Sequence, residues 1–260
     1  MSARMLEGRK VLVVGAGTRP SPDADGPIGN GRAIAVVAGR EGASVACADV
    51  DADAATVTAG LVEAEGASAH VLTADVTDAD ACERVVTAAA EAMEGLDGLV
   101  CNVGIGAGMG LTGTTPEQWD AVFSVNVRSH FLLAAAALPR MPEGGSIVFI
   151  SSIAGLTPGS RIPAYDASKS ALTGLCRQVA AEGARRGVRA NIVAPGLIDT
   201  PLGRWATGGR PSRAKAPVPL GRQGTAWEVA EPVVFLLSDR ASYITSQLLA
   251  VEGGLTGCRG

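Results

Sequence analysis

Short apolar runs alternate with longer helical patterns along the whole chain of 260 residues. Seven runs rich in Val, Ile and Leu predict strands over residues 10–14, 44–48, 69–73, 98–101, 146–151, 189–193 and 248–251. The segments between them predict helices over residues 31–40, 52–65, 79–93, 116–137, 164–186 and 226–237. This alternation indicates an α/β fold with a doubly wound, seven-stranded parallel sheet flanked by helices. Segments 18–28 and 201–224, rich in Pro and Gly, are predicted loops.

The composition limits the possible partners and locations. No linker divides the chain, so we expect a single domain over residues 1–260. A net charge of -4 provides no electrostatic footprint for nucleic acid or for an anionic membrane. The N-terminus lacks the apolar core of a signal peptide, and no apolar run approaches the length of a bilayer span. We therefore expect a cytoplasmic protein that binds neither nucleic acid nor membrane.

The cysteines and histidines do not indicate a metal or disulfide site. The five cysteines are odd in number and scattered, without the paired spacing of a zinc site or a disulfide framework. The two histidines, His70 and His130, have no second ligand near them in the sequence. We expect no metal ion, and a reducing compartment suits the cysteines best.

A glycine-rich turn follows the first predicted strand and leads into the first predicted helix. Its residues are Gly15, Gly17, Gly29, Asn30 and Gly31. Glycines allow a pyrophosphate to approach the backbone closely, and the helix N-terminus offers free N–H groups. Asp49 follows the second strand, where a carboxylate accepts hydrogen bonds from an adenosine ribose. Each feature alone has a plain alternative, a simple turn or a helix cap, but in this order they predict a Rossmann-type dinucleotide site.

Ser152, Tyr165 and Lys169 carry the second group of chemical features. Tyr165 and Lys169 are four residues apart on a predicted helix, so their side chains share one face. A neighbouring ammonium favours the phenolate, so it lowers the pKa of a tyrosine from its ordinary value of about 10 and makes the phenol a usable proton acceptor. Ser152 lies at the end of the strand before this helix. The three groups together suit carbonyl and alcohol chemistry, whereas a Tyr-x-x-x-Lys alone is often a simple surface pair.

With these residues in place, the chain resembles the short-chain dehydrogenase/reductases over nearly its whole length. The resemblance extends to further positions that match motifs of that family: Asp75, Val76, Asn102, Gly104, Asn126, Pro195, Gly196, Ile198 and Thr200. It implies hydride transfer between C4 of a nicotinamide and the carbon of a secondary alcohol or ketone. Members of the family are often dimers or tetramers, so the resemblance also implies a homo-oligomer.

The resemblance assigns a role to each polar residue of the site. Tyr165 would be the general acid/base, and Ser152 would hydrogen-bond the substrate oxygen. Lys169 would lower the pKa of the phenol and bind the nicotinamide ribose, while Asn126 would hold a water in a proton relay that continues from Lys169. The five residues of the glycine-rich turn and Asp49 would contact the cofactor. So would the further family positions other than Asn126, and Tyr165 and Lys169 as well.

The preferred cofactor is NAD rather than NADP. A carboxylate at Asp49 bonds a free ribose 2′-hydroxyl and repels a 2′-phosphate. Arg19 and Arg40 argue the other way, because either could reach such a phosphate. Three alternatives stay open: an NADPH-dependent 3-oxoacyl reductase, a lyase or isomerase, and a non-catalytic scaffold of the same fold.

The chain departs from the family pattern at several places. Thirteen residues separate Gly15 from Gly29, where the family usually has three; the extra segment is either a flap over the cofactor or an inert surface loop. Val14 and Cys101 replace the usual Thr and Asn. Segment 197–224, the expected substrate loop, carries several cations, which indicate either an anionic substrate or ordinary solvated charges. These cations are Arg204, Arg210, Arg213, Lys215 and Arg222.

Overall fold

A seven-stranded parallel sheet forms the centre of the molecule. The computed structural model describes residues 4–19, 26–157, 159–208 and 218–258, without the side chains of residues 205–208. The sheet strands are β1 (Lys10–Val14), β2 (Ser44–Asp49), β3 (Ala69–Thr73), β4 (Gly98–Cys101), β5 (Ser146–Ile150), β6 (Arg189–Pro195) and β9 (Leu248–Val251). Their order is β3-β2-β1-β4-β5-β6-β9, and every neighbouring pair is parallel. The predicted fold class is confirmed.

Eight helices connect and cover the strands in the described part of the chain. They are α1 (Asn30–Arg40), α2 (Ala52–Ala64), α3 (Ala79–Ala92), α4 (Pro116–Phe123), α5 (Ser129–Ala137), α6 (Pro163–Ala184), α7 (Pro201–Gly208) and α8 (Ala226–Leu237). Two short strands, β7 (Ile198–Asp199) and β8 (Gly224–Thr225), pair with each other outside the main sheet.

Both faces of the five inner strands are buried, which explains why these strands are continuous apolar runs, whereas the edge strands β3 and β9 are only partly covered. Successive side chains of a strand point to opposite faces, so Leu12 and Val13 of β1 enter two different core clusters. The cluster with Val13 includes residues of α1 and α8, and the cluster with Leu12 includes residues of α3, α5 and α6. These two layers fix the carboxyl ends of all the strands at one edge of the sheet.

Two predicted boundaries are wrong in ways that matter for function. Residues 116–137 do not form one regular helix, because a π-helical turn over Ser124–Arg128 separates α4 from α5. The predicted loop 201–224 begins with helix α7, and its residue Gly224 belongs to β8. Pro201 suits the first position of a helix, and the Thr200 hydroxyl caps α7 by accepting a hydrogen bond from the Gly203 N–H at 3.0 Å.

The remaining predicted strands and helices differ from the structure by at most two residues at their ends. β2 and β6 extend by one and two residues beyond the prediction, and β5 ends one residue earlier, at Ile150. Assignments of element ends commonly differ by this much.

One helical stretch of the described chain is long and apolar enough to cross a membrane by length and composition. It spans Pro116–Arg140, has a mean hydropathy of 1.4, and is 44% buried within the fold. Leu133, Ala134 and Ala137 of this stretch lie in the core against the sheet. The expectation that no apolar segment approaches a bilayer span is wrong for this stretch, although a core helix of a folded domain meets the same criterion.

Candidate active site

A cavity of about 550 Å³ opens at the carboxyl ends of the strands, where the strand order reverses between β1 and β4. Ser152, Tyr165 and Lys169 line it together with every residue predicted to contact a cofactor. Those residues are Gly15, Gly17, Gly29, Asn30, Gly31, Asp49, Asp75, Val76, Asn102, Gly104, Pro195, Gly196, Ile198 and Thr200. Asn126 is fully buried behind the wall. The fold thus brings the two groups of sequence features into one space.

The glycine-rich turn is packed so tightly that side chains are excluded. A Cβ atom on Gly31 would lie 1.8 Å from the Gly15 carbonyl oxygen. Gly15 has a φ of 84°, a conformation that favours glycine. The Asn102 side chain donates a 2.8 Å hydrogen bond to the same carbonyl. Residues from β1, α1 and β4 therefore form one rigid floor at this end of the cavity.

The N-terminus of α1 has the features of an anion site. Its N-cap residue, Gly29, has no capping side chain, and its first turn has no acidic residue. The buried Oδ1 atom of Asn30 has no hydrogen-bond partner among the described residues, and as an acceptor it suits a hydroxyl of a ligand rather than its phosphate. Free N–H groups and a positive dipole end stabilise a phosphate at such a position. The open glycine cradle, this helix end and Asp49 together fit a nicotinamide dinucleotide.

Asp49 is fixed in place by the backbone at the end of β2. Its Oδ2 accepts a 2.7 Å hydrogen bond from the Gly17 N–H, and its Oδ1 accepts one of 3.1 Å from the Asp51 N–H. The side chain is half-buried and still lines the cavity. Asp49 therefore orients the glycine-rich turn and also presents negative charge to the cavity.

Two arginines near α1 have different surroundings. Arg40, suggested as a phosphate ligand, lies at the far end of α1, where it pairs with Glu65 at 2.8 Å and stacks over Trp227. It cannot reach the ribose from there. Arg32 was missed by the sequence analysis; it donates to the Thr58 hydroxyl at 3.0 Å. Burial lowers the pKa of Arg32, and the Asp49 carboxylate opposes that effect.

The inserted segment is closed at its base. The Thr18 hydroxyl accepts a 2.9 Å hydrogen bond from the Gly29 N–H, so the two ends of the insertion are joined. Thr18 and Arg19 both line the cavity. The flap hypothesis concerns residues 20–25 above all, and these lie outside the described residues.

Asn126 lies in the π-helical turn and is bound on every side by protein. Its Oδ1 accepts from the Ile105 N–H, and its Nδ2 donates to the Ile105 carbonyl and to the Ser168 hydroxyl, each at 2.9 Å. Ser168 in turn donates to the Tyr165 carbonyl at 2.8 Å. The prediction missed Ser168, whose only sequence signal is its place beside Lys169. π-helical turns occur frequently at functional sites.

Lys169 is a buried ammonium beneath the tyrosine. It is 3% exposed, and its Nζ donates a 2.9 Å hydrogen bond to the Ile150 carbonyl at the end of β5. Nζ lies 5.7 Å from the centre of the Tyr165 ring. Burial lowers the pKa of Lys169 to about 8, against a smaller opposing effect of the Cys101 sulfur.

Ser152 follows β5 and begins a short 3-10 helix over Ile153–Gly155. Its hydroxyl accepts a 3.2 Å hydrogen bond from the Ala154 N–H, which orients it at the cavity wall. Ser151, which the prediction placed in the strand, donates its hydroxyl to the Lys169 carbonyl at 2.8 Å. The end of β5 and helix α6 are therefore locked together beneath the site.

The described residues contain no group of three or more potential metal ligands. His130 is buried, with ring nitrogens near the Cys101 carbonyl at 3.1 Å and the Ser129 hydroxyl at 3.2 Å. Burial lowers the pKa of His130 to about 3, with Lys169 acting in the same direction. It is a neutral core residue. All five cysteines are free, and Val14 and Cys101, the two departures from the family pattern, are both core residues.

The cations of the expected substrate loop are only partly described. Arg204 pairs with Asp199 at 2.7 Å, and Arg222 pairs with Glu228 at 2.6 Å. The other three, Arg210, Arg213 and Lys215, lie outside the described residues. The two described cations are thus neutralised by carboxylates, which removes their support for an anionic substrate.

Comparisons with known proteins agree with this geometry. Residues 27–256 match the family model described as enoyl-(acyl carrier protein) reductase. The 2-(S)-hydroxypropyl-CoM dehydrogenase 3 of Xanthobacter autotrophicus is 41% identical over 89% of this chain and 94% of its own. The 3-oxoacyl-[acyl-carrier-protein] reductase of Thermotoga maritima is 34% identical over 96% of this chain and 98% of its own.

Solved structures show the same fold along the whole chain. A short-chain dehydrogenase from Burkholderia cenocepacia, solved in complex with NADP, superposes with a TM-score of 0.88 at 32% identity, over 97% of this chain and all of that one. The strand order, the cavity at the switch point and these similarities lead to one conclusion. The chain belongs to the short-chain dehydrogenase/reductase family and is an NAD(P)-dependent oxidoreductase.

Proposed function

We propose that the protein interconverts a secondary alcohol and a ketone with NAD(H), and that Tyr165 is its general acid/base. One observation carries the proposal: Ser152, Tyr165 and Lys169 line the same cavity as the glycine-rich turn and Asp49. One end of the cavity has a hydroxyl, a phenol and a buried ammonium, and the other has a dinucleotide cradle. This arrangement suits the transfer of a hydride to a nicotinamide and of a proton to the phenol oxygen.

Each residue has one role in alcohol oxidation. The bound nicotinamide would supply the acceptor for the hydride, which leaves the carbinol carbon with its electron pair. Ser152 donates a hydrogen bond that orients the substrate oxygen, and Tyr165, as the phenolate, accepts the hydroxyl proton while the C=O bond forms. The ammonium of Lys169 beneath the ring favours that phenolate. In ketone reduction the same groups act in reverse, with Tyr165 donating the proton.

Asn126 and Ser168 hold the reacting groups in position. The amide of Asn126 bonds the Ile105 backbone and Ser168, so it ties the loop after β4 to helix α6. We assign to Asn126 the water of the proton relay that continues from Lys169. The side-chain amide of Asn126 is already hydrogen-bonded to protein. Backbone groups of the widened π-helical turn would therefore hold this water.

NAD is the proposed cofactor in preference to NADP. The Asp49 carboxylate is held by two backbone N–H groups and faces the cavity, so a 2′-phosphate would meet a fixed negative charge. Arg19 lines the cavity and supports the opposite preference, as does the NADP complex of the Burkholderia cenocepacia relative. Asp49→Ser should raise the kcat/KM for NADP relative to NAD. An unchanged ratio would show that Asp49 does not select the cofactor.

The test of the activity is a panel of secondary alcohols and ketones with NAD(H) and NADP(H), followed by the absorbance of the reduced nicotinamide. We expect turnover with NAD(H), and loss of about 10²–10⁴-fold in Tyr165→Phe while the cofactor still binds. Full activity of Tyr165→Phe would refute the role of the phenol. Product without net nicotinamide oxidation or reduction would indicate a lyase or isomerase, and cofactor binding without any turnover would indicate a scaffold.

The second candidate is an NADPH-dependent 3-oxoacyl reductase. Its support is the similarity to the Thermotoga maritima reductase. The pairing of Arg204 and Arg222 with carboxylates gives it no electrostatic help. A 3-oxoacyl thioester reduced faster with NADPH than simple ketones with NADH would favour this candidate.

We also propose one domain over residues 1–260, a homodimer or homotetramer, and a cytoplasmic location. Large apolar side chains stay exposed on the chain surface, among them Phe131 at 53% and Leu249 at 41%. Exposed apolar surface of this kind is covered in oligomers. Light scattering of the purified protein tests the assembly, and a monomer would refute it.

A further inference from the structure

The described wall of the cavity changes character along its length. Its acidic members, Asp49, Asp51 and Asp75, and also Arg19, lie with the glycine-rich turn and the ends of β2 and β3. Lys169 is the other charged residue of the described lining, and its Nζ is bonded to a backbone carbonyl. All the other described lining residues are neutral, and they include Ile105, Gly106, Ser160, Ile162, Leu197, Leu202 and Gln223.

Gly106 occupies a particular place in this neutral wall. A Cβ atom built on it would lie 3.4 Å from Ile162 Cδ1 and 3.8 Å from Cδ2 of the Tyr165 ring. Both distances are ordinary van der Waals contacts. A side chain at this position would therefore fill the space between Ile162 and Tyr165, on the wall that the substrate must touch.

The fold does not require glycine at this position. Gly106 is not among the glycines with positive φ, so an L side chain suits its backbone. The glycines of the cofactor cradle differ, because a Cβ on Gly31 would overlap the Gly15 carbonyl at 1.8 Å. A Cβ on Gly104 would lie 3.2 Å from Lys169 Nζ. Neither the packing nor the backbone conformation therefore requires glycine at position 106.

We propose that Gly106 sets the size limit for the substrate, and that the space beside it holds a neutral, apolar substituent larger than methyl on the carbinol carbon. This inference rests on the proposed alcohol/ketone activity of the same site. A pocket without a charged side chain in its described wall favours neutral groups, because an unpaired charge there would lose its hydration without compensation. A Cβ on Gly106 would already contact Ile162 and the Tyr165 ring, so glycine there widens the cavity of about 550 Å³ by about one carbon, and this width favours branched, cyclic or aryl substituents.

The experiment compares wild type with Gly106→Ala and Gly106→Val on 2-propanol, 2-butanol, cyclohexanol and 1-phenylethanol with NAD. For the two bulky alcohols we expect kcat/KM to fall by about 10- to 200-fold in Gly106→Ala, which adds one carbon atom to the wall, and further in Gly106→Val, which adds three. For 2-propanol the value should stay close to that of wild type. Gly174→Ala is the matched control, since its Cβ on the exposed side of α6 meets nothing within 4 Å.

A second measurement does not depend on turnover. Titration of the NADH complex with 1-phenylethanol, followed by NADH fluorescence, gives the alcohol dissociation constant, because both partners are already reduced and cannot react; titration of the free enzyme gives the dissociation constant of NADH. The inference requires the alcohol to bind more weakly to both Gly106 variants while NADH binds as in wild type. This result also shows that the variants are folded.

Three outcomes would overturn the inference. Equal losses on 2-propanol and 1-phenylethanol would mean that Gly106 serves the backbone rather than substrate size. A wild-type preference for an anionic 2-hydroxy acid over a neutral alcohol of equal bulk would refute the neutral substrate class. Absence of turnover of every alcohol and ketone with both nicotinamides would refute the proposed function itself, and the inference with it.

Discussion

Replacing Lys169 by Met should change how the stability of the free enzyme depends on pH. Burial lowers the pKa of Lys169 to about 8 from its ordinary value of 10.5. Between these values the unfolded chain keeps the proton that the native protein has released, so wild-type stability rises with pH. The cost of burying the charge is fully present below about pH 8 and disappears as pH approaches 10.5. This interval corresponds to about 3 kcal/mol.

The methionine variant lacks this dependence. It also loses the hydrogen bond to the Ile150 carbonyl, which costs about 1–3 kcal/mol at every pH. At pH 7 the two effects nearly cancel, so the variant should be as stable as wild type or up to about 2 kcal/mol more stable. By pH 10.5 it should be less stable by about 1–3 kcal/mol. The variant should be inactive throughout, because the phenolate loses its cation.

Urea unfolding followed by circular dichroism, at steps from pH 7 to pH 10.5, measures the difference between the two proteins. With a slope of about 1–3 kcal/mol per molar urea, the relative midpoint should move by about 1 M or more. His130 is neutral in both the native and the unfolded state above pH 7, because burial only lowers its pKa. Burial raises the pKa of Cys101, so its thiol lowers stability at high pH, but it does so in both proteins and cancels from their difference. Repeating the comparison with Tyr165→Phe in both proteins removes the phenol. Parallel curves over the whole range would refute the lowered pKa of Lys169.

Three further substitutions test other parts of the site. Gly31→Ala should weaken NADH binding and destabilise the fold by about 1–3 kcal/mol or more through overpacking. The control Gly60→Ala should do neither, because its Cβ would have nothing within 4 Å. Equal thermal melting temperatures of the two variants would contradict this prediction. Thr18→Val should weaken NADH binding by about tenfold, because it removes the hydrogen bond from Gly29. Thr18→Ser should retain wild-type affinity in the same fluorescence titration. Equal affinities of the two variants would show that NADH binding does not depend on this hydrogen bond between the ends of the insertion. Ser168→Ala should lower kcat and shift its pH profile while the KM for NAD stays constant, because the serine orients a buried amide and not the cofactor; a change confined to thermal stability would leave it a structural role only.

The strands, the main helices and the residues that line the cavity could be predicted, because each is indicated by residues close together in the sequence. Val, Ile and Leu runs covered on both faces indicate buried parallel strands, and strand ends indicate where ligands bind. Most site residues predicted to line the cavity lie at or after the end of a strand or in the first turns of a helix, so their positions came with the elements that carry them. The cap of α7, with Thr200 before Pro201, was also present locally and was missed because the segment was judged by its Pro and Gly content.

Long-range contacts decided the rest. Asn126 lies in a π turn, and its amide bonds the backbone of Ile105, 21 residues away in the chain. The charge state of Lys169 depends on its burial and on its hydrogen bond to the Ile150 carbonyl. Whether the Arg40 side chain can reach the cofactor depends on its ion pair with Glu65.

The sequence by itself determined the fold class and the family, and it predicted a cofactor site, because periodicity and motif order are properties of neighbouring residues. Only the tertiary structure decided which charges are paired, which polar groups are buried, and that the space beside Gly106 is free. These are properties of groups distant in the chain, and their energies depend on solvent exposure and on distances that no local pattern specifies.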